Sequence, residues 1–151
     1  MFDLAKLRER REAGERGFTL IELLVVVVIM GILIAIAIPV YLNYKKGASD
    51  KSAQSDLRNA INVLEQCNTE NPSYPSAFGV AGALTGCTSQ TVKSSDGTVF
   101  LYIPTVTTFA NYVLQSYNSK GSSGTFYCYS SAAGGSIIKR ATTIAAGATS
   151  C

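Results

Sequence analysis

The chain has 151 residues and a formal net charge of +3, which allows one domain of modest size and is too weak to argue for nucleic-acid binding by itself. It contains no histidine, so the commonest general base and every Ser-His or Cys-His catalytic arrangement are excluded. It also has no glycine-rich phosphate loop followed by Lys-Ser or Lys-Thr, so we expect neither nucleotide hydrolysis nor a bound cofactor.

Residues 1–17 form a short charged segment ahead of a long apolar run. Its basic residues are Lys6, Arg8, Arg10, Arg11 and Arg16, and its acidic residues are Asp3, Glu9, Glu12 and Glu15. By the positive-inside rule, this end stays in the cytoplasm and everything after Leu42 is translocated. A helix lying on the membrane surface is an alternative interpretation of this segment.

The apolar run from Phe18 to Leu42 has 25 residues and one formal charge, Glu22. A bilayer-spanning helix needs about 20 mostly apolar residues. An unpaired carboxylate near the bilayer centre costs roughly 2.5–3.5 kcal/mol, so we expect Glu22 to have a cationic partner. Cleavage after Gly17 would create one, a free α-amino group on Phe18. An ordinary signal anchor is the alternative, but a secretory signal would place its apolar region before the cut.

Residues 17–22, with the sequence GFTLIE, follow a charged leader and precede an unbroken apolar run, and this pattern resembles the type IV prepilin signature. The resemblance implies that residues 1–17 are the recognition tail for a prepilin peptidase, which removes them. It also implies that Phe18 is then N-methylated. Glu22 and Thr19 would act in assembly, where Glu22 meets the Phe18 amine of an adjacent subunit.

Two residues weaken the apolar helix. Gly31 costs about 1 kcal/mol relative to alanine, and Pro39 removes a backbone donor and clashes with the preceding turn. By resemblance to pilins, the section from Gly31 to Pro39 is the part that can lose helical order when subunits pack into a filament. From the residues alone, a simple kink is an equally good interpretation.

Helical periodicity continues from Tyr41 to about Thr69, so we expect one helix from Phe18 to Thr69. One apolar stripe at spacings of three and four comprises Ala53, Leu57, Ala60, Ile61, Leu64 and Cys67. The charged residues Lys45, Lys46, Asp50, Lys51, Asp56, Arg58 and Glu65 are expected largely on the other faces. The stripe indicates packing against a sheet.

Pro72 and Pro75 end the predicted helix. An irregular loop is expected over residues 71–97, and the rest of the chain predicts a small antiparallel sheet. Short runs of alternating β-branched and aromatic residues predict strands over residues 99–103, 112–116 and 125–129, with a hairpin loop at 121–124 and a weak fourth strand around 137–142. The residues after 143 are expected to be irregular. The predicted fold class is α+β, with a long N-terminal helix packed on this sheet in a globular domain over residues 43–151.

Four cysteines in a small translocated domain predict two disulfides, with three possible connectivities. We favour Cys67–Cys87 and Cys128–Cys151, because the first would tie the helix end to the connecting loop. The second would staple the tail to a strand, as in many pilins. A zinc site is disfavoured since no two cysteines stand two to four residues apart, and no metal is expected.

Eight tyrosines and the nearby cations Lys93, Lys120, Lys139 and Arg140 could form a surface for single-stranded DNA. We favour the simpler interpretation, in which the tyrosines belong to the sheet and the cations are solvated. Beyond Glu70 the only acidic side chain is Asp96, whereas a protein-built calcium site draws on several carboxylates. Some major pseudopilins resemble pilins but hold calcium in this domain.

The resemblance implies a structural subunit of a type IV pilus that serves motility, adhesion or DNA uptake. Its partners would be copies of itself in a helical filament, the prepilin peptidase, an assembly platform protein and its ATPase, and the membrane before assembly, with DNA or surfaces as possible contacts of the filament. The alternatives are a pseudopilin of a type II secretion or competence pseudopilus, and a membrane-anchored enzyme or binding domain.

Overall fold

The computed structural model describes residues 17–78, 83–104 and 110–151. The predictions for residues 1–16 of the leader therefore lie outside the described residues. The chain divides into two compact units, residues 1–41 and 42–151, and each is treated separately below. One helix, α1, runs from Leu20 to Glu70 and contributes to both units, in close agreement with the predicted bounds.

In the first unit, α1 is apolar all round and every described side chain from 17 to 41 is exposed. Its length and composition suffice to cross a membrane. Gly31 and Pro39 both lie inside α1, which remains helical through them. The loss of helical order that the resemblance implies concerns packed subunits and stays a prediction.

The described residues of the second unit form six strands and the C-terminal part of α1. The strands are β1 (Ala83–Leu84), β2 (Cys87–Thr91), β3 (Thr98–Pro104), β4 (Tyr112–Asn118), β5 (Phe126–Ser130) and β6 (Ile138–Arg140). Strands β3, β4, β5 and β6 form an antiparallel sheet in that order. The predicted α+β fold class is confirmed, as are the three main strands and the short fourth one.

The core of this unit lies between α1 and one face of the four-stranded sheet. The predicted helical stripe is confirmed, since Ala53, Leu57, Ala60, Leu64 and Cys67 are all fully buried and Ile61 is partly buried. From the sheet, Tyr112, Leu114 and Tyr127 pack against them. Ser116, at the centre of β4, donates its hydroxyl hydrogen bond to the backbone carbonyl of Ala53 at 2.9 Å. The helix and the sheet are therefore joined by apolar packing and by hydrogen bonds, of which this one is buried.

The opposite face of the sheet is partly covered by the tail after β6. Ile144 is buried against Val113 and Cys128 in a second, smaller core. The Gln115 side chain binds the tail at two points: its amide nitrogen donates to the Thr142 carbonyl at 3.3 Å, and its oxygen accepts the Ile144 N–H at 3.3 Å. The tail has no regular secondary structure, as expected, yet it packs as part of the domain.

Two expectations from sequence were wrong in part. Residues 71–97 are not wholly irregular, because β1 and β2 pair antiparallel around a turn in which Gly86 adopts a φ of 97°. These strands are short and rich in small or polar residues, so they carry no alternating apolar pattern. The charged residues Asp50 and Asp56 do not lie on a face away from the buried stripe, since they are only 8% and 6% exposed.

Candidate functional site

The predicted assembly residues Thr19 and Glu22 are in direct contact at the start of α1. The Thr19 N–H and hydroxyl donate to Glu22 Oε2 at 2.9 and 2.7 Å, and the Glu22 N–H donates to Thr19 Oγ1 at 3.3 Å. The carbonyl of Thr19 accepts the hydrogen bond from the Leu23 N–H. This arrangement is a capping box, in which the residue before the helix and the third helical residue satisfy each other's backbone donors.

The capping box gives Glu22 a role in the single chain that its charge alone does not reveal. The negative carboxylate lies in the first turn, where the positive end of the helix dipole favours it. Both hydrogen bonds that Glu22 accepts from Thr19 go to its Oε2 atom. The other carboxylate oxygen, Oε1, has no hydrogen-bond partner among the described residues. The Thr-x-x-Glu spacing before an apolar run is the sequence signal for this cap, which the charge of Glu22 alone does not indicate.

Gly17 and Phe18 lie before the helix begins, in non-helical backbone. Phe18 is 86% exposed, and nothing lies within 4 Å of the position where a Cβ would stand on Gly17. Because Gly17 is still joined to Phe18 in this chain, the Phe18 nitrogen is a peptide amide and carries no charge. Both residues are therefore exposed in the part of the chain that the structure describes.

The four cysteines lie in two neighbouring pairs. Cys67 near the end of α1 faces Cys87 in β2, and Cys128 in β5 faces Cys151 in the tail, with a Cα–Cα distance of 5.9 Å in each pair. That distance is typical of a disulfide. Asn71 also donates its side-chain amide to the Cys67 carbonyl at 3.0 Å, where it helps to close the helix end.

Carboxylates of α1 hold the rest of the second unit in place, and none was singled out as a functional group from the sequence. Asp50 Oδ1 accepts the Ser122 N–H at 2.9 Å, and Asp56 accepts the N–H and the hydroxyl of Ser95 at 2.7 and 2.9 Å. Both thus bind loops that flank the sheet. Their spacing is a sequence signal for burial, since Asp50 stands three residues before Ala53 and Asp56 stands four residues before Ala60, both on the side of the apolar stripe.

The third carboxylate, Glu65, accepts hydrogen bonds from the hydroxyls of Tyr74 at 2.8 Å and Tyr112 at 2.9 Å. The two rings meet edge to face with centroids 4.7 Å apart. Burial raises the pKa of both tyrosines, and the nearby Glu65 charge raises it further. The two tyrosine hydroxyls therefore stay neutral and hydrogen-bonded at physiological pH.

Four tyrosines of the sheet do not form an exposed stacking surface. Tyr112 and Tyr127 are buried, whereas Tyr102 and Tyr129 are half-buried against the same core. The cations Lys93, Lys120 and Lys139 are exposed and Arg140 is half-buried. The aromatic rings therefore serve the core of the domain, which supports the simpler of the two interpretations made from sequence.

Asp96 forms an ion pair with Lys120, and the hydrogen bond from Lys120, followed by its charge, lowers the pKa of Asp96. In the part of the chain that the structure describes, no three residues with His, Cys, Asp or Glu side chains cluster in a way that could hold a metal ion. The one acidic side chain after Glu70 therefore has a lysine as its partner.

Comparisons with known proteins agree with the N-terminal signature. The prokaryotic N-terminal methylation motif matches residues 13–38. The chain is 36% identical over 73 residues to type II secretion system core protein G of Dickeya chrysanthemi, an alignment that covers 48% of each chain. It is 43% identical over 61 residues to the type IV wide pilus major component PilA4 of Thermus thermophilus, covering 40% of this chain and 47% of the relative.

A third relative, the type IV major fimbrial protein FimA of Dichelobacter nodosus, is 35% identical over 86 residues, covering 56% of this chain and 54% of its own length. The chain thus spans about half the length of the curated relatives it matches. These matches confirm the resemblance of residues 17–22 and the apolar run after them to the type IV prepilin signature.

Proposed function

We propose that this chain, which belongs with the type IV pilins and pseudopilins, is a structural subunit that polymerises into an extracellular type IV pilus. The observation that carries the proposal is the N-terminal half of α1, a helix that exposes apolar side chains on every face and begins with an accessible GFTLIE segment. Such a surface is stable only in lipid or against other apolar helices. The membrane supplies the lipid before assembly, and a filament of identical subunits then supplies the apolar helices.

The proposed mechanism begins in the cytoplasmic membrane, where the precursor is held as a single-pass protein. A prepilin peptidase cuts after Gly17 and the new Phe18 amine is methylated. Residues 18–42 then leave lipid and pack among the same helices of neighbouring subunits, while residues 43–151 form the outer domain. An assembly platform protein and an ATPase supply the energy, since the chain has no phosphate loop of its own.

In this mechanism the two oxygens of Glu22 have separate tasks. Oε2 keeps the helix capped through Thr19, and Oε1 is free to accept the charged Phe18 amine of the adjacent subunit. A charge-assisted hydrogen bond of this kind is about twice as strong as a neutral one, and more so away from water. It would fix the axial position at which a new subunit joins.

A pseudopilin of a type II secretion or competence pseudopilus is the second candidate, and the similarity to core protein G favours it. The pairing of Asp96 with Lys120 favours the pilus, because it places a cation beside the one carboxylate that the region after Glu70 could offer to calcium. In either role we infer a structural subunit and no enzyme. Motility, adhesion and DNA uptake all remain tasks that such a filament could perform.

The test is to follow the native chain from membrane to cell surface. Intact mass and N-terminal sequencing of sheared surface filaments should give a protein that begins with N-methylated Phe18. Filaments in which the chain still begins at Met1 would contradict the processing step. Confinement of the mature chain to the cell envelope, with no surface filaments on electron microscopy, would select the pseudopilin.

A further inference from the structure

The first turn of α1 in the second unit presents an exposed cluster of one aromatic and two basic side chains, Tyr44, Lys45 and Lys46, which we call the interfacial patch. Tyr44 is 77% exposed and both lysines are exposed. The patch begins two residues after Leu42, where the apolar run ends. Its position in the chain is therefore the point at which a membrane-spanning helix leaves the hydrocarbon.

The two lysines have no negative partner among the residues that the structure describes. Asp50 stands four residues after Lys46, a spacing that usually allows an ion pair on a helix. Asp50 is buried, however, and its Oδ1 accepts the Ser122 N–H. Within the described ranges, neither Lys45 nor Lys46 takes part in an ion pair or a hydrogen bond to a carboxylate. Two positive charges are thus held next to the end of the apolar run.

We propose that the interfacial patch binds the phosphate groups of anionic phospholipids at the outer surface of the membrane while the subunit waits for assembly. Lysine side chains at the end of a membrane-spanning segment extend their charge to the headgroup layer, and tyrosine prefers the same depth because its ring is apolar and its hydroxyl polar. Each lysine near an anionic surface contributes a factor of about five in affinity. The patch sets the depth of the apolar helix and keeps the domain above the membrane.

This inference rests on the membrane-anchored precursor of the proposed function. Its consequence for assembly is that the headgroup contacts must be broken when the helix leaves the membrane. Neutralising the patch therefore loosens the hold of the membrane on the subunit without altering the apolar surface that drives filament packing. A free inorganic phosphate offers the same chemistry, but it would not be concentrated beside the end of a bilayer-spanning helix.

The experiment measures lipid selectivity on the full chain reconstituted in phosphatidylcholine bilayers at physiological salt. Spin-labelled phosphatidylglycerol and spin-labelled phosphatidylcholine are added in trace amounts, and their relative association with the protein is determined by electron paramagnetic resonance. The double variant Lys45→Gln/Lys46→Gln should reduce the preference for phosphatidylglycerol at least about threefold. The matched control Lys93→Gln/Lys139→Gln removes the same charge from exposed positions of the sheet region and should leave the preference unchanged.

Because the basic leader is present in every variant, its own attraction for lipid cancels in the comparison. Equal losses in both double variants would show an effect of net charge alone and overturn the proposal, as would unchanged selectivity in Lys45→Gln/Lys46→Gln. If inorganic phosphate at constant ionic strength abolished the preference for phosphatidylglycerol, the patch would be a site for the free ion, and the proposal would be wrong. Loss of filaments with unchanged lipid selectivity would assign it to a neighbouring subunit. Normal surface filaments with no lipid preference would leave the proposed function standing while refuting this inference.

Discussion

Thr19 and Glu22 cap α1 reciprocally, and the hydrogen bonds that Thr19 donates all go to one carboxylate oxygen of Glu22. A charged residue beside an apolar run thus has a local function before any second subunit arrives. The cap satisfies backbone donors that lipid could not satisfy, which matters because an unpaired donor in a bilayer costs several kcal/mol. The same residue can therefore start the helix in one subunit and meet the amine of another.

Glu22→Gln and Glu22→Ala should separate these two functions. Glutamine can still close a capping box but cannot pair with an ammonium group as a carboxylate does, whereas alanine loses both interactions. We expect both variants to insert, to be cut after Gly17 and to fold the outer domain, but to form no filaments. The hydrogen bonds that Thr19 donates to the side chain of residue 22 should be lost only in Glu22→Ala, while Thr19 Oγ1 still caps the backbone N–H of residue 22 in both variants.

The measurement is a cell-fraction blot beside electron microscopy of sheared filaments, in cells that make only the variant. Normal filament yield from Glu22→Gln would show that the charge does not organise assembly. An outer domain that failed to fold would show instead that Glu22 acts within one subunit.

The long helix, its buried stripe and the main strands could be predicted because each carries a strong periodic signal. Ala53 and Leu57 are apolar at helical spacing, and β3 to β5 are rich in aromatic and β-branched residues. The hexapeptide at residues 17–22 located the candidate site, because a lone carboxylate at the start of a bilayer-length apolar run is costly unless it has a partner.

The parts that could not be predicted depend on partners far away in the sequence. Asp56 lies at the spacing of the buried stripe, but its partner is Ser95, 39 residues later, which no local pattern indicates. Strand β2 is polar and is defined by its pairing with β1 around Gly86. In both cases the tertiary contact, and not a local preference, determines the structure.

The cysteines should be oxidised as Cys67–Cys87 and Cys128–Cys151 in the mature chain. Peptide mapping without reduction tests the pairing, and a Cys67–Cys128 link would contradict it.

Replacing both Cys128 and Cys151 with serine should destabilise the domain by about 3 kcal/mol, since the bridge closes a loop with a sequence separation of 23. Limited proteolysis should then release the tail around Ile144, whereas an unchanged digestion pattern would show that the Gln115 contacts suffice. Four free thiols would overturn the predicted translocation.

The buried tyrosines predict that the outer domain loses stability in alkali. Burial, together with Glu65, raises the pKa of Tyr112 in the folded chain above the ordinary value of 10.0. The unfolded chain therefore releases this proton first, so the contribution of Tyr112 is fully present below about pH 10 and declines as the pH rises above it. Above that pH, Tyr112 alone should reduce the free energy of unfolding by up to about 1.4 kcal/mol per pH unit.

Tyr112→Phe should make this decline shallower, although it costs about 1 kcal/mol at pH 7 through the lost hydrogen bond to Glu65. Denaturant unfolding of the detergent-solubilised chain from neutral pH to well above pH 10 gives both quantities. Parallel stability curves for the variant and the unmodified chain would show that Tyr112 is not protected from ionisation by the fold.

A substitution at Gly31 that stabilises the helix should oppose filament assembly. In the single chain, α1 is continuous through Gly31, and nothing lies within 4 Å of an added Cβ. Gly31→Ala should therefore be accommodated and should strengthen the helix by about 1 kcal/mol. If subunits must lose helical order between Gly31 and Pro39 in order to pack, that gain opposes assembly. Gly47→Ala is the matched control, because Gly47 also lies in α1 with nothing within 4 Å of its added Cβ.

We expect Gly31→Ala to lower the yield of sheared filaments about fivefold, the factor that corresponds to 1 kcal/mol, while Gly47→Ala keeps the normal yield. Membrane insertion and cleavage after Gly17 should be the same in both variants, as checked by fractionation and intact mass. Hydrogen exchange on the filaments that do form should show faster exchange over residues 31–39 than over the turns on either side. Normal yield from Gly31→Ala, with uniformly protected amides across this section, would show that the helix packs into the filament intact and that Pro39 introduces no more than a kink.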